Sequence, residues 1–228
     1  MTDILLIRHG ETAWNAERRL QGHLDIALNE VGHRQAALLA IALKNELVEV
    51  VISSDLQRAY ETARPLVQSA GVEWIIDASL RERCFGAFEG LRYDEIDTHF
   101  PQAHAAWQAR EIDARYPAGV HQAETLREFS QRAVASVLSH AQRHASKKIA
   151  IITHGGVLDC LYRFSTGMAL EKKRSVDIAN ASVNRFRWHQ GALELLHWGD
   201  ISHLSMPALD DLAQGEISFG TRRIHASL

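Results

Sequence analysis

The chain has 228 residues, 46% hydrophobic and 23% charged, a composition that suits a globular α/β domain. A net charge of -3 gives no global attraction to nucleic acid or anionic lipid, so an anionic ligand would need a local cluster of cations. The two cysteines have no CxxC spacing, which excludes a disulfide framework and a cysteine zinc site and fits a reducing cytoplasm; no stretch is long and apolar enough for a bilayer span, and the run before Arg8 is too short for a signal peptide.

In chain order, Ile4, Leu5, Leu6 and Ile7 run without alternation into Arg8 and His9, as in a strand covered on both faces. Asn29 is a good N-cap, and residues 30–46 place apolar side chains at helical spacing. Residues 48–54 read as a second buried strand. Residues 55–71 read as a helix capped by Ser54 or Asp55 and closed by Gly71. A short third strand at 72–76 follows. Residues 77–121 are broken by Gly86, Gly90, Pro101, Pro117 and Gly119, with short helical stretches at 92–98 and 102–112. A long polar-faced helix spans 122–146, and a fourth strand at 147–153 feeds a helix at 156–167. Residues 181–189 and 192–198 flank Gln190 and Gly191 as a hairpin. The tail from Gly199 reads as loop, with a helical stretch near 208–214. The alternation predicts a three-layer α/β/α sandwich with a mostly parallel sheet. It forms one domain over 1–228, with a lid insertion at about 77–146 over the carboxyl edge of the strands.

Chemistry concentrates at two strand ends. His9 and His154 each close an apolar run, and each is followed by glycine. Ligands of open parallel sheets bind beyond the carboxyl ends of strands, so neighbouring strands would bring the two imidazoles into one crevice. Arg8 precedes His9, and Arg58 lies in the first turn of the helix after the second strand. The helix after His154 offers the Gly155 and Gly156 amides to an anion. Two guanidiniums, two imidazoles and free amides suit a small dianion, and phosphate matches arginine geometry.

"RHGETAWN", "SSDLQRAYETA", "LRERCFGAFEG" and "THGG" follow one another in this order. Together they resemble the histidine phosphatase superfamily, also called phosphoglycerate mutase-like. The resemblance implies that His9 is the nucleophile, phosphorylated in the intermediate. Arg8 and Arg58 would clamp phosphoryl oxygens, and His154 would donate to the same group. Asn15 would contact phosphate and Gln21 would help line the pocket. Glu82 would act as general acid and then general base. The resemblance implies no cofactor and no metal. The expected partner is a small phosphorylated metabolite, with no nucleic acid and no membrane; a homodimer through sheet edges is open.

The superfamily contains phosphatases and mutases. The segment from Glu82 to His154 is short and has no Arg-Arg-Ser-Tyr stretch of the kind that holds a carboxylate in mutases. A phosphatase of the broad-specificity branch is therefore favoured over a 2,3-bisphosphoglycerate-dependent phosphoglycerate mutase. Arg83, Arg110 and Arg115 keep the mutase alternative open, since each could bind a substrate carboxylate. The ending "GDISHLSMPALDDL" is also similar to bacterial members named as phosphoglycerate mutases. A non-catalytic phosphate-binding relative is the least favoured reading, because His9, Arg8, Arg58, Glu82 and His154 are all present.

Several features read as structural. Alone, Glu82 would pair with Arg81 or Arg83. His140 and His144 share a helix face but lack a third metal ligand nearby. Trp14, Trp107, Trp188 and Trp198 read as core or lid packing. The string Asn180-Ala181-Ser182 matches a glycosylation sequon, without meaning in a cytoplasmic protein.

Overall fold

The computed structural model describes residues 1–204, so the expected helical stretch at 208–214 lies outside the described residues. The elements are β1 (Thr2–Arg8), α1 (Ala13–Ala16), α2 (Glu30–Ala42), β2 (Val50–Ser53), α3 (Gln57–Ala70), β3 (Glu73–Ile76), α4 (Tyr93–His99), α5 (Pro101–Gln108), α6 (Leu126–Arg143), β4 (Lys148–Thr153), α7 (Gly155–Thr166), β5 (Val183–His189) and β6 (Ala192–Asp200). They build a six-stranded sheet in the order β3-β2-β4-β1-β5-β6. β1 through β4 are mutually parallel, and only β5 runs antiparallel to its two neighbours.

The period-two alternation of each buried strand divides its side chains between two cores. Ile4, Leu6, Ile149 and Ile151 pack with Phe129, Ala133 and Val137 of α6 and Val157, Leu158 and Leu161 of α7. Leu5, Ile7, Ala150 and Ile152 pack on the other face with Leu39 of α2 and Ala59, Ala63 and Leu66 of α3. Both faces are covered, which explains why these strands carry unbroken apolar runs. The result is the expected three-layer sandwich.

The local differences have identifiable causes. α2 ends at Ala42 and one 3-10 turn, Leu43–Asn45, completes the predicted helix. α3 is not capped by Ser54 or Asp55: its N-cap is Leu56, which has no capping side chain. The first amide, Gln57 N–H, donates instead to Asp25 Oδ1 at 2.6 Å, while Asp55 is taken by Arg81 at 2.6 Å. Gly71 closes α3 at φ 65, as a left-handed cap does. α6 starts at a Thr125/Glu128 capping box rather than at 122, because Ala123 and Thr125 belong to the approach loop.

α6 buries Leu126, Phe129, Ala133, Val137 and Ala141 against the sheet, which makes it a layer of the sandwich. Within 77–146, the stretch that reaches the strand ends is therefore the part before α6. That part has its own small core, in which Phe88, Ile96 and Tyr116 pack with Phe85, Phe100 and Trp107. The expected helix at 102–112 stops at Gln108, and Arg110 turns the chain at φ 53. Cys84 and Cys160 are both buried and free. Among the described residues no helix is long and apolar enough to cross a membrane.

Candidate active site

β1 and β4 are neighbours in register, Arg8 opposite Thr153, so the residues that follow them emerge side by side. The His9 and His154 ring centroids lie 5.2 Å apart. His9 Nδ1 is 2.7 Å from the carbonyl of Gly10. A carbonyl only accepts, so Nδ1 carries the proton and Nε2 keeps its lone pair. The turn needs glycine at position 10, since a Cβ there would sit 2.7 Å from the Gly32 oxygen. Burial, then the charges of Arg58 and Arg8, push the His9 pKa well below the usual 6.5. The imidazole is thus held neutral.

His154 is neutral for the same first reason, burial, followed by the charge of Arg58. Arg58 Nε donates to His154 Nδ1 at 3.2 Å, which leaves Nε2–H to donate to Ser54 Oγ at 2.9 Å. Both ring nitrogens therefore have protein partners, and His154 stands behind Arg58 as its brace. Arg58 is 1% exposed and also donates to the carbonyls of Gly22 and Leu24 at 2.7 and 3.0 Å. Arg8 donates to the Ile178 carbonyl at 2.6 Å. Backbone acceptors thus fix both guanidiniums in place, with His154 as a further acceptor for Arg58.

Glu82 comes from the loop between β3 and α4. Its carboxylate is not in a salt bridge with Arg81 or Arg83. Arg81 is held by Asp55, and Arg83 donates to the Glu124 carbonyl at 2.9 and 3.0 Å. Two amides hold the Glu82 carboxylate instead, Arg83 N–H on Oε1 at 2.8 Å and Gly156 N–H on Oε2 at 2.9 Å. One of the two α7 amides expected to face an anion is thus occupied by Glu82. Burial pushes the Glu82 pKa up, against those two hydrogen bonds and the charges of Arg58 and Arg8. A Cβ on residue 156 would come within 2.1 Å of Glu82 Oε1 and 3.0 Å of the Phe129 ring, whereas one on residue 155 meets nothing closer than 3.6 Å. Gly156→Ala is expected to lower kcat/KM on a phosphomonoester at least about tenfold and to cost about 1–3 kcal/mol in urea melts. Gly155→Ala, measured beside it, should retain its stability.

Among the described residues, Arg8, His9, Gln21, Arg58, Glu82 and Gly155 line one cavity of about 60 Å³. Asn15 and His154 are not in that lining. Asn15 is 3% exposed and its Oδ1 accepts from Thr12 N–H, Thr12 Oγ1 and Asn180 Nδ2 at 2.9, 3.1 and 3.3 Å. Asn180, dismissed as part of an idle sequon, also donates to the His9 carbonyl at 3.0 Å and is fully buried. It lies in the turn before β5, remote in sequence from His9, so no local pattern marks it. Arg19, Phe85, Tyr93 and Arg174 also line the cavity and escaped sequence reading. Arg19 and Arg174 sit in the charged runs Glu17-Arg18-Arg19 and Lys172-Lys173-Arg174, which look like solvated surface.

The model of the histidine phosphatase superfamily, branch 1, matches residues 4–201. The chain belongs to this superfamily. The Arabidopsis thaliana phosphoglycerate mutase-like protein 4 is 38% identical over 205 residues, covering 89% of this chain and 86% of that protein. A probable phosphoglycerate mutase GpmB of Yersinia pestis is 33% identical, covering 93% and 99%. Bacillus stearothermophilus YhfR superposes with a TM-score of 0.82 at 33% identity, covering 89% of this chain and 99% of that one. A mycobacterial glucosyl-3-phosphoglycerate phosphatase in complex with VO3 superposes with a TM-score of 0.74 at 28% identity, covering 86% and 98%. Structural neighbours of this histidine phosphatase fold are thus phosphatases of small phosphorylated metabolites, while sequence relatives carry mutase names.

For a member of the histidine phosphatase superfamily, the three arginines named as carboxylate readers are spoken for. Arg83 stacks over Tyr116 at 4.6 Å and is 4% exposed. Arg110 donates to the Leu170 carbonyl and to Asp159 at 2.8 and 3.3 Å. Arg115 is bound to the Ala123 carbonyl and to Glu128. None of the three lines the cavity. His140 and His144 hold no metal-like constellation either: His140 Nε2 bonds Asp77 Oδ2 at 2.9 Å, and no group of three or more potential ligands occurs among the described residues.

Proposed function

We propose that the protein hydrolyses phosphomonoesters of small metabolites through a phosphohistidine at His9, without a metal. One observation carries this reading. The Gly10 carbonyl accepts a hydrogen bond from Nδ1–H of a neutral, buried His9, leaving a nucleophilic Nε2 beside two guanidiniums. Arg8 and Arg58 would neutralise the equatorial charge of an in-line phosphoryl transfer. In the first step the His9 Nε2–P bond forms, the ester P–O bond breaks, and Glu82 gives its proton to the leaving alkoxide. In the second, water attacks phosphorus, the N–P bond breaks, and Glu82 takes the proton that water releases. A carboxyl whose pKa is raised by burial suits both halves. His154 would act through Arg58, and Asn15 and Asn180 through the backbone of His9.

The names of the sequence relatives favour a second reading, isomerisation of phosphoglycerate. Against it stand the engaged Arg83, Arg110 and Arg115, none of which is placed to hold a substrate carboxylate. The test is a panel of phosphomonoesters assayed for both free phosphate and isomerised phosphoglycerate. The panel holds an aryl phosphate, 3-phosphoglycerate, fructose 2,6-bisphosphate and α-ribazole phosphate. Phosphate release dependent on His9 supports the phosphatase. Isomerisation stimulated by 2,3-bisphosphoglycerate, with little phosphate released, supports the mutase and overturns the first reading.

Because the cations of the cavity are side chains, chelation should leave the rate within about twofold of its untreated value. Loss of turnover in EDTA, restored by one divalent metal, would contradict the metal-free mechanism.

A further inference from the structure

The loop that carries Glu82 has no secondary structure of its own between Arg81 and Phe85. An unsupported loop cannot by itself hold a carboxyl group to the few tenths of an ångström that proton transfer needs. His23 Nε2 donates to the Glu82 carbonyl at 2.8 Å, and the broader support of the loop comes from one residue of α6. Arg132 Nη1 donates to the carbonyls of Ser79 and Arg81 at 2.9 and 3.0 Å, and Nη2 to the carbonyl of Glu82 itself at 3.2 Å. Three carbonyls within four residues thus converge on one guanidinium.

The guanidinium is fixed in turn. Glu124 binds it in fork geometry, Oε1 on Nε at 2.8 Å and Oε2 on Nη2 at 2.7 Å. Glu124 also grips the far side of the same loop. Its Oε2 accepts from Cys84 N–H at 2.9 Å, its N–H donates to the Cys84 carbonyl at 2.9 Å, and its own carbonyl takes Arg83. Arg132 lies over the Phe129 ring at 5.2 Å, and Phe129 is packed in the sheet core next to Gly156, whose amide holds Glu82 Oε2. The Glu82 backbone and carboxylate are therefore both referenced to rigid elements, one through α6 and one through α7.

We infer that Arg132, locked by Glu124, is the positioning residue that aims Glu82 at the leaving group of the substrate. This rests on the reading of Glu82 as general acid. Neither Arg132 nor Glu124 lines the cavity that holds His9 and Glu82. Lysine at position 132 keeps the charge but has no planar fork, and cannot bind three carbonyls and a bidentate carboxylate together.

The test compares kcat/KM, which reports phosphorylation of His9, on two esters. 4-Nitrophenyl phosphate has a leaving group that needs no proton, whereas 3-phosphoglycerate has an alkoxide that does. Glu82→Gln fixes the reference ratio. Arg132→Lys should lower kcat/KM on 3-phosphoglycerate by about tenfold or more, and on 4-nitrophenyl phosphate by less than about threefold. Glu124→Gln, a milder change that loosens the same fork, should shift the ratio in the same direction and serves if the lysine variant does not fold. A purely structural role would lower both esters by one common factor, along with Tm, and that result overturns the inference. Unchanged ratios in both variants, with a shifted ratio in Glu82→Gln, would also overturn it while leaving the acid role of Glu82 standing. If Glu82→Gln itself keeps the ratio of the unaltered protein, the reading of Glu82 fails and the inference fails with it.

Discussion

His9→Ala should lower phosphate release by on the order of 10⁴–10⁶-fold, as removal of a nucleophile does, while the fold survives. The expectation of an intact fold has a specific basis. What ties residue 9 to the sheet is its backbone: its N–H donates to the Thr153 carbonyl at 2.9 Å, and its carbonyl accepts from Asn180 and Ala181 at 3.0 and 3.2 Å. The side chain adds one hydrogen bond, to its own neighbour Gly10. Alanine keeps the first set and loses the last, together with the ring contact to His154. The effect on stability carries a sign that can be checked. The folded pKa of His9 is depressed by burial, so the unfolded chain binds a proton more readily than the folded one. The stability contribution of a neutral His9 is present above the unfolded value near 6.5 and is lost as pH falls toward the folded one. His9→Ala removes that loss, and the gap between variant and parent in urea melts should narrow or reverse from pH 7.5 to pH 5. Substantial hydrolysis by a well-folded His9→Ala protein would end the phosphohistidine mechanism.

The second large effect is at Glu82. Glu82→Gln should cut kcat/KM on an alkyl phosphate by about 10²–10³-fold, the range typical of a lost general acid. Burial raises the folded pKa of Glu82, so the protonated, competent form persists above the usual carboxylate range. In the unaltered protein kcat/KM therefore falls on the alkaline side as Glu82 loses its proton, and on the acid side as His9 gains one, well below 6.5. The glutamine variant should lose the alkaline limb on Glu82's account and keep the acid one. Stability follows the opposite sign from His9. A raised folded pKa means that the contribution is complete below the unfolded value of about 4.5 and is lost as pH rises through the folded one. The stability of Glu82→Gln relative to the parent should accordingly improve as pH is raised. An alkaline limb that persists unchanged in the variant would assign it to another group.

Much of the framework was legible because the signals are local. Ile4–Ile7 and Ile149–Ile152 are unbroken apolar runs, and both proved to be central strands covered on two faces. Asn29 caps α2 through its own side chain, whose Oδ1 accepts from Gly32 N–H three residues away, and Gly71 closes α3 with a left-handed residue. The start of α3 differs from the expectation because the decisive group is not adjacent, whereas α6 starts at its own local capping box. Asp25, about thirty residues upstream of α3, supplies its first hydrogen bond, and Asp55, the obvious local cap, is drawn off by Arg81.

The sequence by itself determined the imidazole and the flanking guanidinium at the strand ends, which follow from strand periodicity and from short motifs that depend on neighbours a few residues apart. Glu82 was marked only by the resemblance of its segment to the superfamily, and the neutrality of His9 came from burial in the fold. Only the tertiary structure decided which arginines reach the cavity. Arg83, Arg110 and Arg115 are drawn away by Glu124, Asp159 and Glu128, whereas Arg19 and Arg174, in runs that look solvated, line it. A guanidinium has a long flexible stem and five donors, so its place is set by whichever acceptors the fold brings within reach. The same long-range choice put Asn180 under His9 and Arg132 under Glu82.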